Sequence, residues 1–119
     1  MNLETTMFVA ISILLMLACI VPASAKLAGA PAVRESAAHF GIPWSRYRLI
    51  SLPELAAAAG VLAGLWLYPL GVAAACGMAM LLMGALAAHR RAKDDVKTMA
   101  PALVAAAITA AYLISALAS

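Results

Sequence analysis

Three stretches of the sequence carry no Asp, Glu, Lys or Arg, at residues 5–25, 55–88 and 98–119. A helical membrane crossing needs about 20 apolar residues, so the first and third stretches each predict one span. The middle stretch is too long for one span, and Tyr68-Pro69-Leu70-Gly71 inside it predicts a tight turn. We therefore predict an all-α polytopic membrane protein, a single transmembrane domain over residues 1–119. Its four spans, at residues 5–25, 50–67, 70–88 and 99–117, form a four-helix bundle.

The composition agrees with a membrane protein. Hydrophobic residues make up 66% of the 119 residues and charged residues 11%, whereas a soluble domain is about 45–50% apolar and about 25% charged. A soluble domain of this size buries only about two thirds of its surface, which would leave much apolar surface in water. A soluble globular protein is therefore excluded.

The basic residues lie in two groups, and the number of spans decides where each group lies. A single middle span would put the groups on opposite sides of the membrane. Four spans put all eight residues on one side, as the positive-inside rule predicts, with both termini outside the cytoplasm. The net charge of +3 then reflects topology and attraction to membrane lipids, not nucleic-acid binding. The groups are Lys26, Arg34, Arg46 and Arg48, and Arg90, Arg91, Lys93 and Lys97.

The connection between the first two spans predicts an interfacial segment. Phe40, Trp44 and Tyr47 lie beside Arg46 and Arg48. Amphipathic rings and cations together favour the headgroup layer of a membrane. We interpret this segment as an anchor at the membrane surface.

Small residues at a spacing of four predict close helix packing, because they clear one helix face for another backbone. The same pattern serves for packing inside the bundle and for a homodimer, and the sequence leaves both open. The positions are Ala56, Gly60 and Gly64 in the second span and Ala102, Ala106 and Ala110 in the fourth.

Glu54 is the one acidic residue inside the second predicted span. An ionisable residue in a membrane is by default a functional hypothesis, because burying its charge there is costly. Ser51-Leu52-Pro53-Glu54 also matches a capping box, in which Glu54 only satisfies backbone donors at the start of a helix. The sequence leaves both interpretations open.

A polar cluster is predicted at the cytoplasmic end of the bundle. Counting along the hairpin places His89 about one helical turn from Glu54, and Lys26 ends the first span in the same layer. Such a cluster could bind a polar headgroup, relay a proton or work as an acid-base pair. The candidate catalytic residues are Glu54 and His89, and the candidate ligand-binding residues are Lys26, Glu54, His89 and Arg90. An ion-paired cap that only orients the helices is the structural alternative.

No motif indicates a haem or a metal. His39 lies in a connecting segment, so it is not expected to face His89 as a second haem ligand. No zinc-ligand or copper-ligand spacing occurs. Cys19 and Cys76 lie in different spans without a C-x-x-C motif, so we expect two unpaired, buried cysteines.

Several short motifs occur in a fixed order along the chain. SAKL at residues 24–27 closes the first span, and HFGIP at residues 39–43 precedes the second, which opens with Glu54. GALAAHRR at residues 84–91 closes the third span, and Ala100-Pro101 opens the fourth. This order resembles the DoxX-like family of small bacterial membrane proteins.

The resemblance implies a protein of the bacterial cytoplasmic membrane associated with redox systems, without an agreed set of catalytic residues. The leading hypothesis is an accessory subunit, associated with quinone or lipid, that supports a partner redox subunit. The alternative is a small membrane enzyme acting on a lipophilic substrate, such as an isomerase, cyclase or epoxide-opening hydrolase, with Glu54 and His89 as acid and base. A transporter is the weaker third hypothesis, because inverted-repeat transporters need more spans.

Overall fold

The computed structural model of the protein describes residues 2–118. No strand occurs among these residues, so the prediction of an all-α protein is confirmed. The six helices are α1 (Leu3–Ala28), α2 (Pro31–His39), α3 (Trp44–Leu49), α4 (Ser51–Ala63), α5 (Tyr68–Arg91) and α6 (Val96–Ala118).

Both ends of α1 are capped by local sequence. The side chain of Asn2 accepts a hydrogen bond from the backbone N–H of Thr5, which satisfies a donor of the first turn. At the other end Gly29 adopts a left-handed conformation with φ of 68°, and its N–H donates to the carbonyl of Lys26. The N–H of Ala30 donates to the carbonyl of Ala25, which completes a Schellman motif. This motif fixes Lys26 in the last turn of α1.

Three helices are long and apolar enough to cross a membrane, namely α1, α5 and α6. These helices confirm that the protein is a helical membrane protein. The fourth predicted span corresponds to α4, which has 13 residues. At about 1.5 Å per residue α4 is about 20 Å long, shorter than a hydrocarbon core of about 30 Å. Four spans therefore stay a prediction.

The hairpin turn lies slightly before its predicted position. The chain turns over residues 64–67, and α5 already begins at Tyr68 with Pro69 in its first turn. Proline is compatible with the first turn of a helix, because the backbone N–H that it lacks has no partner there. The Pro-Gly signal therefore marks the start of α5 instead of the centre of the turn.

Helices α1, α4, α5 and α6 pack side by side in a ring. Helix α4 contacts α1 and α5, and α6 closes the ring by contacting α5 and α1. Short α2 and α3 form the predicted connection between α1 and α4. The core between the helices is apolar and includes Leu15, Cys19, Ala57, Val61, Ala75, Met78, Leu82, Tyr112 and Ala116.

Glycines bring α4 and α5 into close contact next to the turn. A Cβ atom added to Gly60 would lie 2.6 Å from the Cβ of Ala74, and one added to Gly64 would lie 2.6 Å from the Cα of Gly71. Gly71 in turn faces the hydroxyl of Tyr112. Gly60 and Gly64 thus serve packing within the chain, while Ala56 of the same pattern is exposed. A homodimer through small residues stays a prediction.

The outward surface of the helices is apolar, as expected of a protein surrounded by lipid. Cys19 is buried and unpaired, as predicted, but Cys76 is exposed, so the expectation that both cysteines are buried is wrong for Cys76. Cys76 lies on the outward face of α5. The sequence did not reveal this, because the segment around Cys76 is apolar on all faces and has no hydrophobic periodicity. Large exposed apolar side chains include Ile13, Leu17, Val21, Met80, Met83, Val104 and Ile114.

Candidate polar site at one end of the helices

A buried ion pair connects α1 to α4. The ammonium of Lys26 lies 3.1 Å from Oε1 and 3.3 Å from Oε2 of Glu54, and each residue is only 6% exposed. Lys26 comes from the last turn of α1 and Glu54 from the first turn of α4. Each charge compensates the other, which is what an ionisable group away from water requires.

Glu54 does not form the capping box that its sequence context matches. Helix α4 follows α3 after one residue, Ile50, whose φ of −61° and ψ of −24° are helical. The N–H of Glu54 therefore donates to the carbonyl of Ile50, and no side chain caps this end. The hydroxyl of Ser51 is buried and has no hydrogen-bond partner within residues 2–118. The carboxylate of Glu54 is left for Lys26.

Helix α3 covers the ion pair. The ammonium of Lys26 lies 5.3 Å from the centre of the Tyr47 ring, within the range of a cation–π contact. Arg48 donates a hydrogen bond of 2.7 Å to the carbonyl of Leu27, next to the pair. Burial, and then the negative charge of Glu54, raise the pKa of Tyr47 above its usual range. Tyr47 was predicted only as an interfacial anchor, although it precedes Glu54 by two helical turns and so shares its face.

A second polar group joins α2 to the end of α5. Nδ1 of His89 lies 2.6 Å from one carboxylate oxygen of Asp94, and Nε2 of His39 lies 2.7 Å from the other. A carboxylate only accepts hydrogen bonds, so we assign a proton to each of these ring nitrogens. Hydrogen bonds from His89 and then His39 hold the pKa of Asp94 below its usual range.

An aromatic side chain packs against this second group. The ring of Phe40 stands edge-on to the ring of His89, with 4.9 Å between the centroids. The ring of Phe40 also lies 5.3 Å from the ring of His39 and 6.4 Å from the ring of Tyr47, which lies beside the Lys26 ammonium. Phe40 and Tyr47 thus lie between the two polar groups.

A sequence model of the DoxX-like family matches residues 10–112. The chain belongs to the DoxX-like family. The match includes both polar groups, from Lys26 to Asp94. Searches of curated proteins and of solved structures found no match to the chain.

The DoxX-like chain brings together only part of the predicted cluster. Lys26 and Glu54 are in contact, but His89 is held by Asp94, and no hydrogen bond or ion pair joins His89 to Glu54 among the residues described. The connection after α5 folds back so that Asp94 meets a histidine on the preceding turn. Arg90 is exposed on another face, beside a groove between α5 and α6.

The two histidines do not form a metal site with Asp94. Nδ1 of His89 and Nε2 of His39 each lie at hydrogen-bond distance from a carboxylate oxygen of Asp94, so no ion fits between them. No group of three or more His, Cys, Asp or Glu side chains in residues 2–118 could hold a metal ion. From the sequence, His39 was considered only as a haem ligand. Its contact with Asp94, which His89 shares, was missed because 55 residues separate His39 from Asp94 in the sequence.

Proposed function

We propose that the protein is an accessory membrane subunit that supports redox chemistry, linked to quinone or another carrier, on a partner redox subunit. One observation carries this proposal. Five charged or titratable side chains at this end of the helices pair with one another across different elements. Lys26 and Glu54 join α1 to α4, and Asp94 joins His39 of α2 to His89 of α5. Pairs of this kind orient the helices, which is what we expect of a subunit whose partner carries the redox chemistry.

The alternative of an enzyme with Glu54 and His89 as acid and base draws no support from this geometry. An acid-base pair must reach the same substrate, within about 3 Å of the atoms it serves. Glu54 is neutralised by Lys26, and the Nδ1 of His89 is committed to Asp94. Each of the two residues therefore has a partner other than the substrate.

We also propose a four-span topology in the bacterial cytoplasmic membrane, with both termini outside the cytoplasm. Trp66 and Tyr68 lie at one end of α5 and His89 at the other, about 31 Å apart at about 1.5 Å per residue. This matches a hydrocarbon core of about 30 Å. Trp66 is 77% exposed, as expected of an aromatic residue in the headgroup layer.

The position of the basic residues supports the same topology. The chain passes from Tyr47 near the end of α3 through α4 to Trp66 in the turn, and returns through α5. This path places every Lys and Arg at the end that holds the two polar groups. The bias is the one that the positive-inside rule predicts for the cytoplasmic side.

Purification from a bacterium that expresses the tagged chain tests the proposed function. In mild detergent we expect a stoichiometric protein with its own redox centre to copurify, identified by mass spectrometry and by its absorption spectrum. A matched purification of an unrelated tagged membrane protein should not retain it. A monodisperse lone chain with its own turnover would contradict the proposal.

A further inference from the structure

A groove of about 650 Å³ lies between α5 and α6, on the outside of the helix ring. Its walls are apolar and include Met83 and Leu86 of α5 and Leu103 of α6. Its end is polar, where Arg90, Lys93 and Asp94 line it. The groove thus changes from apolar to cationic along its length, at the level where α5 ends and α6 begins.

The two cations at the groove are available to a ligand. Neither Arg90 nor Lys93 has an acidic partner within 4.0 Å among residues 2–118. Asp94, the one carboxylate at the groove, has each oxygen engaged by a histidine. The end of the groove therefore carries two positive charges that form no ion pair, against the single negative charge of Asp94.

The backbone holds these cations close together at the end of the helix. Lys93 has a φ of 59°, a left-handed conformation that usually belongs to glycine at the end of a helix. Its N–H donates a 3.1 Å hydrogen bond to the carbonyl of Arg90. The turn that ends α5 thus places both basic residues at the mouth of the same groove.

We infer that this groove binds an anionic phospholipid, whose phosphate contacts Arg90 and Lys93 and whose acyl chain lies along Met83, Leu86 and Leu103. The order of groups along the groove matches a phospholipid. Its acyl chain needs an apolar wall inside the bilayer, and its phosphate needs cations at the bilayer surface. Basic pockets between helices on the cytoplasmic side of membranes take lipid headgroups of this kind. This site requires no redox partner and goes beyond the proposed function.

Lipid binding by the purified full chain in detergent tests this inference. Native mass spectrometry and thermal unfolding are measured with phosphatidylglycerol and with phosphatidylcholine of the same acyl chains. We expect preferential binding and a higher Tm with phosphatidylglycerol. Inorganic phosphate at the same concentration should not raise Tm, because it makes no contact with the apolar walls. If phosphate alone reproduces the effect, the groove is a simple anion site and the lipid assignment is wrong.

Two double variants with the same change in charge distinguish binding in the groove from a general attraction between basic residues and anionic lipid. Arg90→Gln/Lys93→Gln removes both groove cations, and Arg91→Gln/Lys97→Gln removes two exposed cations that do not line the groove. A cation near a headgroup contributes about fivefold in affinity, so the first variant should lose roughly 30-fold for phosphatidylglycerol. The second should keep most of its affinity. Equal losses in the two variants, or no lipid preference in the unaltered protein, would overturn the assignment.

Discussion

Lys26 and Glu54 form an ion pair in which one ammonium reaches both carboxylate oxygens, at 3.1 and 3.3 Å, with both residues buried. The pair joins two helices that are 22 residues apart in the sequence, because residues 29–50 lie between the end of α1 and the start of α4. This pair fixes the start of α4 against the end of α1.

Glu54→Gln should destabilise the protein strongly. The substitution leaves the Lys26 ammonium buried without a counter-charge, and breaking a buried pair in this way costs about 3–5 kcal/mol. The free energy of unfolding of the purified protein in detergent, measured with denaturant, checks this. Glu35→Gln is the control, because Glu35 is exposed on α2 and forms no ion pair with the described residues.

A double variant distinguishes pairing from other roles of Glu54. Lys26→Met/Glu54→Gln removes both charges at similar volume, so its loss should be clearly smaller than the sum of the two single losses. Strict additivity would show that the two side chains do not interact in the membrane protein.

Gly64→Ala should destabilise the contact between α4 and α5. The new Cβ would lie 2.6 Å from the Cα and 2.9 Å from the N of Gly71, and backbone atoms cannot move aside cheaply. Overpacking of this kind costs about 1–3 kcal/mol, which the same unfolding measurement detects. Gly77→Ala is the matched control, since nothing lies within 4 Å of its added Cβ. It should be neutral or stabilising by up to about 1 kcal/mol.

The sequence predicts the long helices and part of the polar site. Stretches free of charge locate α1, α5 and α6, because a membrane crossing excludes charge over its whole length. The prediction that Lys26, at the end of the first span, lies in the same layer as Glu54 agrees with their contact. These predictions succeed because they depend only on helix geometry.

The rest of the polar site depends on short connecting segments, and hydrophobic periodicity does not determine their conformation. The partner of His89 follows from the left-handed turn at Lys93, which brings Asp94 back to the helix. The capping box at Ser51 fails because α3 runs almost directly into α4 and supplies the Ile50 carbonyl. Both outcomes are decided by one or two backbone conformations in a connection.

Asp94 should make the position of α2 dependent on pH. The pKa of Asp94 is lower in the folded protein than its usual value of about 3.9, so its bonds to His39 and His89 stabilise the fold above that value. This contribution is lost as the pH falls through the lowered pKa. Asp94→Asn should therefore be less stable than the unaltered protein near pH 6, and the two should converge in strong acid.

Hydrogen exchange locates this effect. Near pH 6, Asp94→Asn should speed amide exchange in α2, because His39 loses its tie to the end of α5. Asp95→Asn serves as the control, since the Asp95 carboxylate accepts from the N–H of Thr98 and holds the start of α6. Faster exchange in α2 in both variants would contradict the assigned role of Asp94.

Single cysteines on the two sides of α4 decide whether that helix crosses the membrane. After Cys19→Ala/Cys76→Ala removes the native thiols, Ser45→Cys reports on α3 and Leu67→Cys on the turn before α5, both at exposed positions. A charged maleimide that does not cross membranes should label position 67 in intact spheroplasts and position 45 only after permeabilisation. This result is expected because Tyr68 and His89, at the two ends of α5, are separated by about the thickness of the hydrocarbon core. Labelling of both positions from the same side would show that α4 does not cross, and would leave three spans with the termini on opposite sides.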